Sequence, residues 1–219
     1  MRSEQHSETA TDDTAGWLRP AVASLAGELR AHHQPAGHGT HRLARAVRRV
    51  ADRMGLDPLA ATEAELVAIL HHAGRRAVPG SLLRATGTLS ESQRDIVRSR
   101  TIAGADLLAR RAGLDDVAAT VRHVHERWDG TGRPYGLAGE QIPIPARIVA
   151  VVAAHHLMTR FGAGPSPLTN HDHRLRLALE AGWRFDPAVV RAYLDDLHEQ
   201  PEERFTRAAP WVPARSSLL

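Results

Sequence analysis

Apolar residues in this chain recur at three- and four-residue intervals, and no stretch of useful length alternates apolar with polar. Leu43, Val47, Val50 and Met54 are spaced by four, three and four positions, which puts them on one helical face. Gly55 follows, a C-terminal stop signal, and Asp57-Pro58 opens a second segment, "ATEAELVAILHHAG", that carries His71 and His72 at its end. Ser90 with Gln93 three residues on is a capping box. Asp115 is expected to cap a helix with apolar positions Val117, Val121 and Val124 that runs into His125 and Glu126. Pro143 and Pro145 precede the apolar "ARIVAVVAAHHLMTR", with proline at a helix start where its missing N–H costs nothing. Two more helices are expected around 170–181 and 187–198, after the loop "FGAGPSPLTN". The pattern predicts an all-α bundle of about eight helices over 17–199, between a polar disordered tail at 1–16 and a proline-punctuated tail at 200–219.

Composition narrows the chemistry. Aromatic residues make up 4% of the 219, so Ala, Val, Leu and Ile must build the core. The absence of cysteine excludes disulfides, zinc-thiolate sites, iron–sulfur clusters and thiol nucleophiles. All 28 basic residues are arginine, which excludes Schiff-base lysine chemistry and explains a pI near 10.4 at a formal charge of +3. Nucleic acid is therefore not an expected partner. No apolar run approaches the roughly 20 residues of a membrane span, and the N-terminus has no secretory signal pattern, so the expected location is cytoplasmic.

Fourteen histidines are present, and the informative ones are paired: His71-His72, His123 with His125, and His155-His156. Histidines on separate helices are how an all-α bundle can assemble a metal centre, although packed core or helix-end residues give the same pattern. His6, His171, His173 and His198 sit among polar residues and are expected on the surface. In "HVHERWDGTGRPYGLAGEQIP", Gly130 and Gly132 are placed to allow positive backbone angles, and Pro134 fixes the exit.

The order of segments over about residues 36–190 resembles the HD-GYP family of the HD phosphohydrolase superfamily. The likeness is carried by "ILHHAGRRAVPGSLL", "GTLSESQ", "GADLL", "VHERWDGTGRPYGLAGEQIP", "ARIVAVVAA" and "GWRFDPAVV". It implies an HD-domain-like helical bundle around two or three metals, usually iron or manganese, that hydrolyses the phosphodiester bonds of cyclic di-GMP. Position by position, this chain departs from the pattern. The ligand positions implied by the resemblance fall on Gly39, His71, His72, Arg100, His125 and Ala153, and His71 and His125 alone keep the expected residue. Val124 stands where the first histidine of the family's paired histidines would be, Arg75 where its lysine would be, and Arg133 replaces the signature tyrosine. Both carboxylates are gone, and a multi-metal centre needs bridging oxygens to neutralise it.

The expectation is thus a degenerate HD-GYP-like domain without phosphodiesterase turnover, acting as a nucleotide-sensing or protein-interaction module. Arg75, Arg100 and Arg133 are the expected contacts to a cyclic dinucleotide or a protein partner, and homodimerisation is left open. No cofactor is expected. The alternative is a metal-dependent phosphohydrolase with a remodelled site, in which His71, His72, His125 and His156 hold a single zinc, iron, manganese or nickel ion.

Overall fold

A computed structural model describes residues 37–83, 85, 88–161 and 170–199. The expected N-terminal tail, the C-terminal tail and most of the loop before residue 170 lie outside the described residues. Eight α-helices occur among the described residues: α1 Gly37–Arg53, α2 Pro58–Leu70, α3 Gly80–Leu83, α4 Glu91–Leu108, α5 Asp115–Val121, α6 Ile144–Phe161, α7 Asn170–Leu179 and α8 Pro187–Glu199. The 3-10 turns Ala73–Ala77 and Gly139–Gln141 and two isolated bridges, Asp129–Ala138 and Ala181–Phe185, complete them. None of these helices is long and apolar enough to cross a membrane.

The local signals explain most boundaries. Asp57 accepts from the Leu59 and Ala60 amides and caps α2, with Pro58 at its first position. Ser90 and Gln93 form the reciprocal capping box of α4. Gly55 takes a φ of +74°, which suits a residue without Cβ after a helix end. Two expectations need correction. Asp115 is the first residue of α5 rather than its cap, which is Leu114. The helix also ends at Val121 instead of running into His125. His123 N–H bonds to Thr120 O, Val124 N–H to Val121 O and Glu126 N–H to His123 O, so the chain leaves the helix in tight three-residue steps.

The core is aliphatic, as the low aromatic content requires. Val47 and Val50 of α1, Val67 and Leu70 of α2, Leu108 of α4, Val121 of α5 and Ile148, Val151 and Val152 of α6 are fully buried. Each such side chain contributes about 1.5–3 kcal/mol through burial. The central helices α2 and α6 are apolar nearly all round, and α1, α5, α7 and α8 pack about them. Val124, where the resemblance would place the first of the paired histidines, is one of these core side chains, at 4% exposure. Ala153 is partly buried against the same core.

Candidate functional site

The apolar face of α2 delivers His71 to the point where the helix stops. Its backbone N–H bonds to Val67 O, and its Nδ1 lies 2.9 Å from Ala68 O, which assigns that nitrogen as the donor and leaves Nε2 as the acceptor. The His71 and His72 rings meet with centroids 3.8 Å apart. Beyond them, the 3-10 turn is pressed against α4 backbone to backbone. A Cβ on Gly74 would stand 1.6 Å from the Arg100 carbonyl oxygen, and one on Gly104 would stand 2.6 Å from the Gly74 amide. Two glycines facing each other therefore set how closely Arg75 and Arg100 approach.

Arg100 reaches from α4 to His125, its Nη2 3.3 Å from His125 Nε2. The turn after His125 folds back so that Arg133 N–H bonds to His125 O at 3.2 Å. These elements enclose a cavity of about 380 Å³, with Arg98, Arg100, His125, Arg127, Gly132 and Arg133 among its lining residues. Arg127 grips Asp129 with two hydrogen bonds, of 3.1 and 2.7 Å, and Asp129 also accepts from the Thr131 amide and hydroxyl. The Arg127 guanidinium and the Thr131 hydroxyl hold the Asp129 carboxyl well below the ordinary carboxylate range. Gly130 has the expected positive φ, +76°, whereas Gly132 does not. Gly132 is required for space instead, since a Cβ there would lie 2.2 Å from the Arg127 amide nitrogen.

Glu126 shows the limit of judging a carboxylate by its neighbour. It is buried at 5% exposure, and its oxygens accept from the Tyr135 and Gly136 amides at 2.7 and 3.1 Å. It is a fastener of the turn, a role that spacing alone does not announce. The turn is also tied to the C-terminal helices: Trp128 N–H bonds to Arg184 O and Asp129 N–H to Trp183 O. The buried Asp186 caps α8 through the Ala188 amide and pairs with Arg147 of α6 at 2.8 Å.

The electrostatics of the site are those of a cation cluster. Burial first, and then the positive charges of Arg100 and Arg75, bring the His71 pKa down to about 4. His125 is likewise held at about 4, by close packing and by Arg100. Its residue surface remains open at the cavity even though protein atoms crowd the ring. His72, also exposed by area, is held well below its ordinary value, chiefly by His71 beside it. Burial and Arg75 lower Arg100 itself.

The structure thus brings together five of the residues singled out in the sequence, His71, His72, His125, Arg75 and Arg100, and seats Arg133 with Arg100 and His125 at the cavity. His156 lies close enough to His155 to lower its pKa, and His155 bonds to Tyr193 at 2.9 Å. His173, expected on the surface, is 4% exposed, with its ring 6.1 Å from that of His155; His171 and His198 are exposed as expected, and His6 lies outside the described residues. Arg98 and Arg127 are cavity residues that sequence reasoning passed over. The signal for Arg127 was its place two residues before Asp129.

These residues do not fit a multi-metal centre. Among the described residues, no three His, Asp or Glu side chains converge to hold one ion. A divalent ion about 4 Å from the Arg100 guanidinium would be repelled by on the order of 8 kcal/mol at an effective dielectric near 20. That is a large fraction of the roughly 10–16 kcal/mol with which a well-built zinc site binds its ion.

The HD domain sequence profile matches residues 24–189. The chain belongs to the HD domain family. The sequence comparisons and the structural neighbours together place it in the HD-GYP branch, as the motif order led us to expect. The 3'3'-cGAMP-specific phosphodiesterase 2 of Vibrio cholerae is 30% identical over 183 residues, covering 81% of this chain and 34% of that protein. A cyclic di-GMP phosphodiesterase of Thermotoga maritima is 32% identical over 150 residues, covering 67% of this chain and 40% of that protein. The HD domain described here therefore spans well under half the length of these relatives. Bd1817, an HDG"Y"P protein from Bdellovibrio bacteriovorus, shares the fold at a TM-score of 0.60 and 19% identity, covering 75% of this chain and 53% of that one. A cyclic GMP-AMP specific phosphodiesterase structure from V. cholerae, V-cGAP3, superposes at a TM-score of 0.59 and 19% identity, over 82% of this chain and 48% of that one.

Proposed function

We propose that this HD-GYP domain does not hydrolyse phosphodiesters and acts as a regulatory module that senses a nucleotide or engages a protein partner. The observation that carries the reading is the guanidinium of Arg100 set against His125 Nε2 at 3.3 Å. It occupies the lone pair that a metal would need, and it adds a fixed charge that repels one. Relatives named for cyclic di-GMP and 3'3'-cGAMP hydrolysis supply the ligand class, and the arginine-lined cavity supplies groups to receive it. A cytoplasmic location belongs to the same proposal.

Purified protein supplied with Mn(II) or anaerobic Fe(II) is expected to leave cyclic di-GMP and 3'3'-cGAMP uncut. Calorimetry is expected to register binding of one of them that weakens about tenfold or more in Arg100→Gln or Arg133→Gln. Release of linear dinucleotide, stopped by a chelator, would overturn the reading. The alternative, one transition metal on His71, His72, His125 and His156, predicts close to one equivalent of metal that His71→Ala or His125→Ala abolishes.

A further inference from the structure

Two guanidinium groups at the cavity, those of Arg100 and Arg133, stand without a carboxylate to answer them, and Arg75 lies close to Arg100 as a third. Arg100 donates to a neutral imidazole and is repelled by Arg75, whose Nε is buried with no acceptor. Arg133 enters the same cavity from the turn. Among the described residues none of the three is paired with an acid, whereas the neighbouring cavity arginines are: Arg98 with Asp95 at 3.1 Å and Arg127 with Asp129 at 2.7 Å. A guanidinium left in a partly dry place without an anion is costly, and its planar fork matches phosphate oxygens in pairs.

We propose that this cavity is an anion site for a phosphate monoester, the terminal phosphate of a single nucleotide, held by Arg100 and Arg133. Arg75 adds positive potential, and the anion takes the Arg100 contact now made by His125. The proposal deepens the nucleotide-sensing reading above and rests on it for the choice of a guanine nucleotide as probe. The preference for a monoester over a diester follows from charge. A monoester carries close to two negative charges at pH 8, since its second pKa is about 6, and a diester carries one. Two uncompensated cations at the cavity, with the potential of Arg75 behind them, are better matched by the former. Size agrees, because about 380 Å³ lies at the small end of the range for small-molecule sites and suits one nucleotide rather than two. The Thr131 hydroxyl is already committed to Asp129, so recognition of the phosphate falls to the arginines.

The test is calorimetry on the full chain at pH 8 with inorganic phosphate, GMP, 3',5'-cyclic GMP and cyclic di-GMP. GMP is expected to bind about tenfold or more tightly than cyclic GMP, and inorganic phosphate to compete with it. Arg100→Gln and Arg133→Gln should each weaken GMP about tenfold or more, while Arg48→Gln, on α1 outside the cavity lining and paired with Asp52 at 2.9 Å, changes it less than about threefold. Arg133 lies exposed in the turn, so its variant keeps the test valid if Arg100→Gln unfolds. Equal affinity for GMP and cyclic GMP, or no loss in either variant, overturns the proposal. Binding of cyclic di-GMP without binding of GMP also overturns it and leaves the broader reading standing. Binding of GMP without cyclic di-GMP supports it and removes the cyclic dinucleotide from that reading.

Discussion

Gly74 and Gly104 shape the site through space rather than contact, because their facing backbones bring Arg75 and Arg100 together. A Cβ at either position has backbone, not a yielding side chain, as its nearest neighbour. Gly104→Ala is therefore expected to destabilise the protein by about 1–3 kcal/mol through overpacking, read from the urea midpoint, and to weaken any ligand that depends on Arg100. A change below about 0.5 kcal/mol would mean that the contact is looser than described. Glu126 is the second such residue. Glu126→Ala strands the Tyr135 and Gly136 amides that it now accepts from, at a cost of about 2–4 kcal/mol. Exchange of those two amide hydrogens should accelerate; unchanged protection would contradict the fastening role. Neither residue's task was legible in sequence. Gly74 has no periodic partner to reveal a close approach, and Glu126 resembles a potential ligand until its acceptors are seen to be occupied by the turn. His173 misled for a related reason. Its neighbours in sequence are polar, yet its own position on α7 faces His155 and the core.

At the scale of elements, what could be read were the ends marked by chemistry: the Ser90–Gln93 box, the Asp57-Pro58 start and the Gly55 stop all act as written. The end of α5 was not readable, since the apolar spacing Val117, Val121, Val124 continues past it. Val124 is buried from a turn rather than a helix, and spacing cannot separate the two. The packing of α6, α7 and α8 carries a pH dependence. Burial first, and then the charges of His173, Arg174 and His156, hold the His155 pKa down to about 3, and burial lowers His173 as well. An unfolded histidine titrates near 6.5. Between those values the unfolded chain takes up a proton that the folded one refuses. Stability present above about pH 6.5 is therefore lost as pH falls toward 3 and levels off below it. The expected loss between pH 7 and pH 4 from His155 is at most about 3 kcal/mol, measured by urea titration, and His155→Gln should flatten the profile. An identical slope in that variant would remove His155 as its source.

For the whole molecule, the fold was legible because its determinants are distributed. The helical spacing, the caps and the order of motifs each survive local change, and the HD domain match and the TM-score of 0.60 agree with them. The site was legible only as a set of residue types. That Arg100 would bond to His125, and that His155 would bond to Tyr193, depends on side-chain directions that spacing does not encode. The central proposal is that this HD-GYP domain keeps the bundle while cations and core residues stand where the resemblance implies metal ligands. Elemental analysis of untagged protein, expressed with iron, manganese and zinc supplied, tests it most directly. The account predicts less than about a tenth of an equivalent of any metal per chain, because imidazoles beside uncompensated guanidiniums hold divalent ions poorly. Two equivalents, retained through purification, would contradict it.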